Sequence, residues 1–310
     1  MSTLATIVCP VDFSDHSRAA LARAYAWARH FRTRLVVVTV VEPLLANAAD
    51  ATYDMNFVRD EILPELRVFV EQVSTPAESK TPAEVIVLVG DPFAEIIAVA
   101  RREKADLVIM ATHGLTGYRK MLLGSTTEKV LRQTTIPVLV VPAADQTVTA
   151  MEDPMTVVRH VLAPVDFKGG TVTDVRVAAA IARTLDVPLL LLHVVRPVKG
   201  PERLKTQRDT HNRIQFERAR QQIQRLISEA GESIAIETVV AVGSPAEEIA
   251  QIAVARDVGL IVMGLRTQEH MFGPRPGSIA YRVLGLAPAM VLALPPGETE
   301  VGGLRALVQR

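Results

Sequence analysis

The motifs of the first half of the chain recur, in the same order, in the second. A strand-like segment ending Pro10-Val11-Asp12-Phe13 returns as Pro164-Val165-Asp166-Phe167. The pattern Ala111-x-x-Gly114 followed by Gly124-Ser125 returns as Gly264-x-x-Thr267 followed by Gly277-Ser278. The offset is 154 residues at the first motif and 153 at the second, so a duplicated domain explains both. A chain of 310 residues with 49% hydrophobic content can bury two cores of ordinary domain size. The expected organisation is a first domain over residues 1–144, a linker over 145–155, a second domain over 156–296 and a tail over 297–310. In the tail, Leu304 and Leu307 can share one helix face, but disorder is the commoner fate of such an end.

Each half alternates apolar strands with amphipathic helices. In the first, strands are expected at 7–11, 35–41, 84–89, 107–111 and 138–141, and the second repeats them at 161–165, 189–195, 236–242, 260–264 and 290–294. The run from Leu35 to Val41 shows no polar alternation beyond Thr39, as for a strand covered on both faces. Ser14 is positioned to cap the first helix, and Asp91-Pro92 opens another with proline in its first turn. A further helix is expected within 56–73, and one over 126–132 after the glycine motif. Ser244 with Glu247 has capping-box spacing. A charged helix over 203–229 carries Arg213, Arg218, Arg220 and Arg225, read as a solvated face in preference to an anion site. Strand and helix in alternation imply right-handed crossovers and a parallel sheet, hence an α/β fold.

Composition excludes several functions. Lys plus Arg equals Asp plus Glu at 34 each, so no broad basic field suggests nucleic acid or a membrane surface as partner. Apolar runs such as Leu189–Leu192 are far too short to span a bilayer, and Met1-Ser2-Thr3 leads directly into strand sequence. A soluble cytoplasmic protein is expected. The single cysteine, Cys9, has no intrachain partner and reads as a small buried hydrophobe.

Open doubly wound sheets bind ligands beyond the carboxyl ends of the strands, where strand order reverses. Asp12 follows strand one and the glycine motif follows strand four, so one crevice can gather both. Gly114, Gly117 and Gly124 allow close approach of main chain to a ligand. The loop delivers Ser125 and Thr126 to a helix start, where unpaired N–H groups and the positive dipole end suit phosphate. Other readings stand beside these. Ser125 with Glu128 also fits a capping box, which would satisfy the helix donors without any ligand. Asp12 can hold a ribose or a cation, or can shape the turn toward Ser14. Arg119 and Lys120 serve as phosphate partners or as solvated surface. No P-loop and no Gly-x-Ser-x-Gly elbow is present, and the seven histidines lack metal-ligand spacing. His113 suits a hydrogen bond within its loop, and His193 a core position. No catalytic set is legible, and hydrolysis of a bound phosphate compound, if any, would be slow.

The spacing from Ala111 through Gly114 and nine further residues to Gly124-Ser125 resembles the nucleotide-binding signature of universal stress proteins, Gly-x-x-Gly, nine residues, then Gly-Ser or Gly-Thr. The opening Pro10-Val11-Asp12-Phe13-Ser14 and the closing Ile136-Pro137-Val138-Leu139-Val140-Val141 are similar to that family as well. The resemblance runs from residue 4 to about residue 296, as two such domains in tandem. It implies two Rossmann-like α/β domains, each a five-stranded parallel sheet of order 3-2-1-4-5 with helices on both faces. One branch of that family binds ATP and another binds no nucleotide.

Carried over by position, the resemblance implies that Asp12, with Pro10 beside it, meets the ribose or a magnesium ion carried by ATP. Main chain at Val40 or Val41 would meet adenine, and Met110 the nucleoside. Gly114, Gly124, Ser125 and Thr126 would hold phosphates. Ala111 departs from the pattern, since glycine is expected there. In the second copy Asp166, Gly264, Gly277 and Ser278 remain as a possible second site. Thr267 replaces the second glycine, while Pro274 and Pro276 remove two N–H donors. Weaker or absent ATP binding is expected in that half, which would act by packing against the first as a pseudo-dimer. Two functions follow from these residues. One is a stress-response ATP-binding regulator whose nucleotide occupancy alters association, as a homodimer or with a regulatory protein partner. The other is an interaction protein without nucleotide, acting through dimerisation at fifth-strand edges.

Overall fold

The computed structural model describes residues 5–53, 56–74, 83–112, 123–142, 158–167, 171–198, 200–201, 205–231, 234–265 and 279–295. These fall into two compact units, one before residue 158 and one from Val158 onward. The expected linker over 145–155 and the tail from 297 lie outside the described residues.

The first unit runs β1 (Thr6–Pro10), α1 (Asp15–Phe31), β2 (Arg34–Val41), α2 (Pro43–Tyr53), a π-helical turn (Val58–Ile62), α3 (Leu63–Val73), β3 (Glu84–Val89), α4 (Pro92–Arg102), β4 (Leu107–Ala111), α5 (Ser125–Gln133) and β5 (Val138–Val141). Its strands pair in the order β3-β2-β1-β4-β5, all parallel. The second unit runs β6 (Val161–Pro164), α6 (Thr171–Leu185), β7 (Leu189–Val195), α7 (Lys205–Ala230), β8 (Ile236–Val242), α8 (Pro245–Ala255), β9 (Leu260–Gly264), α9 (Ile279–Leu286) and β10 (Met290–Leu294). Its parallel order, β8-β7-β6-β9-β10, is the same 3-2-1-4-5 arrangement. Both units are thus Rossmann-like, with helices on both faces of the sheet.

Burial follows from this layering. Ile7, Val8 and Cys9 of β1, Leu35 to Val38 of β2 and Leu107 to Ile109 of β4 have no solvent exposure, because helices cover both faces of their sheet. Each such aliphatic side chain contributes about 1.5–3 kcal/mol relative to an exposed one. Burial also pushes the Cys9 thiol well above its ordinary pKa, consistent with an inert core residue. On α7, Ala219, Ile223, Leu226 and Ala230 form the buried stripe, whereas Arg213, Arg218, Arg220 and Arg225 are exposed, as the solvated-face reading expects.

The duplication extends to backbone conformation. Six described non-glycine residues have positive φ, and they form three equivalent pairs: Phe13 (62°) with Phe167 (58°), Arg32 (54°) with Asp186 (54°), and Lys104 (49°) with Asp257 (49°). Arg32 ends α1 in the left-handed conformation, with its N–H directed to Ala28 and Arg29 carbonyls and the Thr33 N–H returning to Ala28. In the second unit, capping differs from expectation at α8. Ser244 is the N-cap of α8, but its hydroxyl is donated to the Glu247 carboxylate rather than accepting a backbone N–H. Glu247 also pairs with Arg282 of α9, which draws its carboxylate away from the reciprocal box.

Candidate functional site

In the first unit β1 lies between β2 and β4, so strand order reverses between β1 and β4. Pro10 closes β1, and beyond it Val11 donates its N–H to the Val38 carbonyl at 2.9 Å. Asp12 follows immediately. Val40 and Val41 end β2, with one lone pair of the Val41 carbonyl taken by Gly90 N–H at 3.0 Å. Met110 and Ala111 end β4, and Thr112 N–H reaches the Val141 carbonyl at 3.0 Å. The carboxyl ends of three neighbouring strands therefore bring together Pro10, Asp12, Val40, Val41 and Met110. Gly114 lies outside the described residues, as do His113, Gly117, Arg119 and Lys120. Ala111 is an ordinary strand residue without positive φ, so the departure from glycine leaves the backbone unstrained.

Asp12 shapes a turn. Its Oδ1 accepts the Ser14 N–H at 3.2 Å and the Ser14 hydroxyl at 2.5 Å, while Ser14 Oγ accepts the Ser17 N–H at 3.1 Å as the cap of α1. Phe13, between them, adopts a left-handed conformation that is costly for a bulky residue and persists only when its surroundings fix it. Its ring meets Phe69 edge-on at 5.5 Å and packs on the cluster of Val41, Ala46 and Ile62. Arg18 lies over the Phe69 ring at 4.5 Å. The apolar contacts of Phe13 thus hold the turn that carries Asp12.

Across the crevice, α5 begins at Ser125 with Gly124 as N-cap and no side-chain capping bond. The Ser125–Glu128 capping box is not formed. Ser125 occupies the first helical position instead of the cap, and the Glu128 carboxylate is drawn to Arg132 at 2.5 Å. Gly124 is tied to β4 by its N–H to the Thr112 carbonyl at 2.7 Å. A residue that sequence reasoning passed over makes a second tie: the buried hydroxyl of Thr127 donates to the Ala111 carbonyl at 2.9 Å. The only signal for it was its place in the run Ser125-Thr126-Thr127. The α5 N-terminus, with its partial positive charge, is thereby fixed over the end of β4 with Ser125 exposed and Thr126 half-buried.

In the second unit Asp166 follows β6 and accepts the Thr171 hydroxyl at 3.0 Å, while Gly264 ends β9. Gly277 and Ser278 lie outside the described residues, with Thr267, Pro274 and Pro276. Phe167 repeats the left-handed turn, its ring 4.4 Å from His193, whose Nδ1 lies 2.7 Å from the Val165 carbonyl. His193 is therefore a satisfied structural residue. Among the described residues no three His, Cys, Asp or Glu side chains gather as a metal site, and no helix is long and apolar enough to cross a membrane.

Comparison with known proteins agrees with this architecture. Residues 4–142 and again 158–295 match the profile described as the Universal stress protein family. Universal stress protein MJ0531 of Methanocaldococcus jannaschii is 34% identical over 140 residues, covering 44% of this chain and 80% of that protein. A Thermus aquaticus relative, the universal stress protein in the QAH/OAS sulfhydrylase 3′ region, is 34% identical over 139 residues, covering 44% of this chain and 97% of its own. A crystal structure of a universal stress protein from Archaeoglobus fulgidus shares the fold with a TM-score of 0.65 at 22% identity, covering 94% of this chain and 98% of that one. With both units matched, this chain belongs to the universal stress protein family and carries two of its domains in tandem.

Proposed function

We propose that the first unit binds ATP, with magnesium carried on its phosphates, and that the protein is a stress-response regulator whose association depends on nucleotide occupancy. The observation that supports this most is the α5 N-terminus: its cap is glycine, which makes no side-chain capping bond, and it is tied to the end of β4, the neighbour of the strand that precedes Asp12. Phosphates would take those N–H groups and the hydroxyls of Ser125 and Thr126. Asp12 would meet the ribose or the magnesium ion, Val40 or Val41 main chain the adenine, and Met110 the nucleoside. Gly114 would add main-chain contacts to the phosphates. Magnesium would depend on the nucleotide for most of its ligands, since the described residues offer no cluster of their own. In the second unit Asp166, Gly264, Gly277 and Ser278 would form a second, weaker site.

Calorimetric titration with magnesium and ATP tests this reading against Gly124→Asp. Gly124 has φ −57° and ψ 143°, which any residue adopts, and aspartate is a good N-cap, so the variant is expected to fold. Its carboxylate would take the helix N–H groups and repel phosphate. The expected result is one ATP per chain in the native protein and at least a tenfold loss of affinity in the variant. Absence of binding to the native protein would leave the interaction-protein reading in its place. Sedimentation with and without ATP then reports whether self-association responds to occupancy.

A further inference from the structure

The segment joining the second strand to the third carries opposite charge in the two copies. Between β2 and β3, residues 42–83, eight acidic side chains outnumber three basic ones, for a net charge of −5. Between β7 and β8, residues 196–235, nine basic side chains outnumber five acidic ones, for a net charge of +4. The chain as a whole is neutral, so the duplication has kept the fold of this layer and reversed its sign.

Part of each charge lies on a helix face that its own unit leaves uncovered. On α3, Glu65, Val68 and Glu71 follow one another at three-residue spacing and are exposed, while Leu66, Phe69, Val70 and Val73 are buried. On α7, Ile214, Arg218, Gln221 and Arg225 form one exposed stripe, opposite the buried Ala219, Ile223 and Ala230. Among the described residues no ion pair engages Glu65, Glu71, Arg218 or Arg225. A lone exposed apolar side chain is ordinary, but Val68, 51% exposed, lies between carboxylates, and Ile214, 44% exposed, lies in line with guanidinium groups. The two faces are complementary in charge, and each offers an apolar group to cover.

We propose that α7 of one copy of this chain docks on α3 of a second copy, with Arg218 and Arg225 meeting Glu65 and Glu71 and with Val68 and Ile214 covered in the same contact. The surface is distinct from the first crevice and from the fifth-strand edges, and it does not depend on nucleotide. Exposed ion pairs are individually weak and screened by salt, so the association is reversible and strongest at low ionic strength.

Sedimentation velocity of the full chain, without nucleotide, tests this at about 0.01 M and about 1 M salt, where the Debye length is about 30 Å and about 3 Å. Self-association is expected at low salt, with a dissociation constant about tenfold or more higher at high salt. Two variants locate the surface: Arg218→Glu with Arg225→Glu, and Glu65→Arg with Glu71→Arg. All four positions are exposed, so both variants are expected to fold, as followed by far-ultraviolet circular dichroism. Each alone is expected to be monomeric where the native chain associates. Mixed in equal amounts they are expected to associate again, because the acidic α7 of one then meets the basic α3 of the other. If a reversed pair does not fold, the glutamine pairs at the same positions take its place and are expected to weaken association in the same direction. A native chain that is monomeric at low salt, folded variants that self-associate as the native chain does, or a mixture of reversed variants that stays monomeric overturns the proposal. With no nucleotide present, none of these outcomes bears on the ATP reading.

Discussion

Single residues hold backbone strain in this fold. Arg32 is exposed, left-handed and at the end of α1, where a Cβ costs about 1 kcal/mol that glycine does not incur. Arg32→Gly should therefore raise unfolding stability by about 0.5–1 kcal/mol, read as a higher urea midpoint at unchanged slope; a lower midpoint would mean that its side chain stabilises more than its backbone strains. Phe13 shares the conformation but not the expectation, since its ring is committed to Phe69 and the cluster around Val41. Sequence made Asp12 and Phe13 visible as a motif yet gave no hint that the phenylalanine is left-handed, because the packing that enforces it comes from other elements, as far along the chain as Phe69 of α3. The approach of Asp174 to Gly264 was invisible for a similar reason. Within α6 the aspartate reads as one more polar helix residue, and only the fold brings its carboxylate to where a Cβ on Gly264 would lie.

Elements were legible where one local rule decided them. The strands at 84–89, 107–111, 138–141, 189–195, 236–242, 260–264 and 290–294 have their expected bounds, because continuous apolar runs in a parallel sheet have sharp ends. The helix α2 and the π-helical turn before α3 were not read: Leu44 and Leu45 of α2 are largely exposed, so no periodic face betrays it, and a π turn has no periodicity of its own. Contacts between elements were equally hidden. Glu103, at the end of α4, accepts from Arg102 at 2.9 Å and also from Arg34 of β2, which in turn reaches Glu84 of β3 at 3.1 Å. Arg102 first and Arg34 second hold its carboxyl below the usual range. A depressed folded pKa contributes stability in full above the unfolded value of about 4.3 and loses it as pH falls through the folded value. Glu103→Gln should thus be less stable than the native chain at pH 7, with the difference shrinking below about pH 4. Equal urea midpoints at pH 7 would show that the network adds nothing measurable.

At the scale of the chain, two copies of one fold have been kept while the groups around their crevices have diverged. The topology is common to both, down to the paired positive-φ residues, so packing demands have held each copy to the same backbone. Other positions have diverged: Ala20 of α1 and Ala111 of β4 are exchanged for Asp174 of α6 and Gly264 of β9 without altering the sheet. Nucleotide should then act on one unit alone. A ligand that binds only the folded form suppresses its opening by a factor close to its concentration over Kd, about 2.7 kcal/mol at a hundredfold excess. Amide hydrogen exchange reads each unit separately. With ATP and magnesium at that excess, core amides of β1, β2 and β4 that exchange through opening of the first unit should slow by about two orders of magnitude, while those of β6, β7 and β9 keep their rates. Equal slowing in both units would contradict this asymmetry, because protection confined to the first copy is what separates a divided pair of crevices from two working sites.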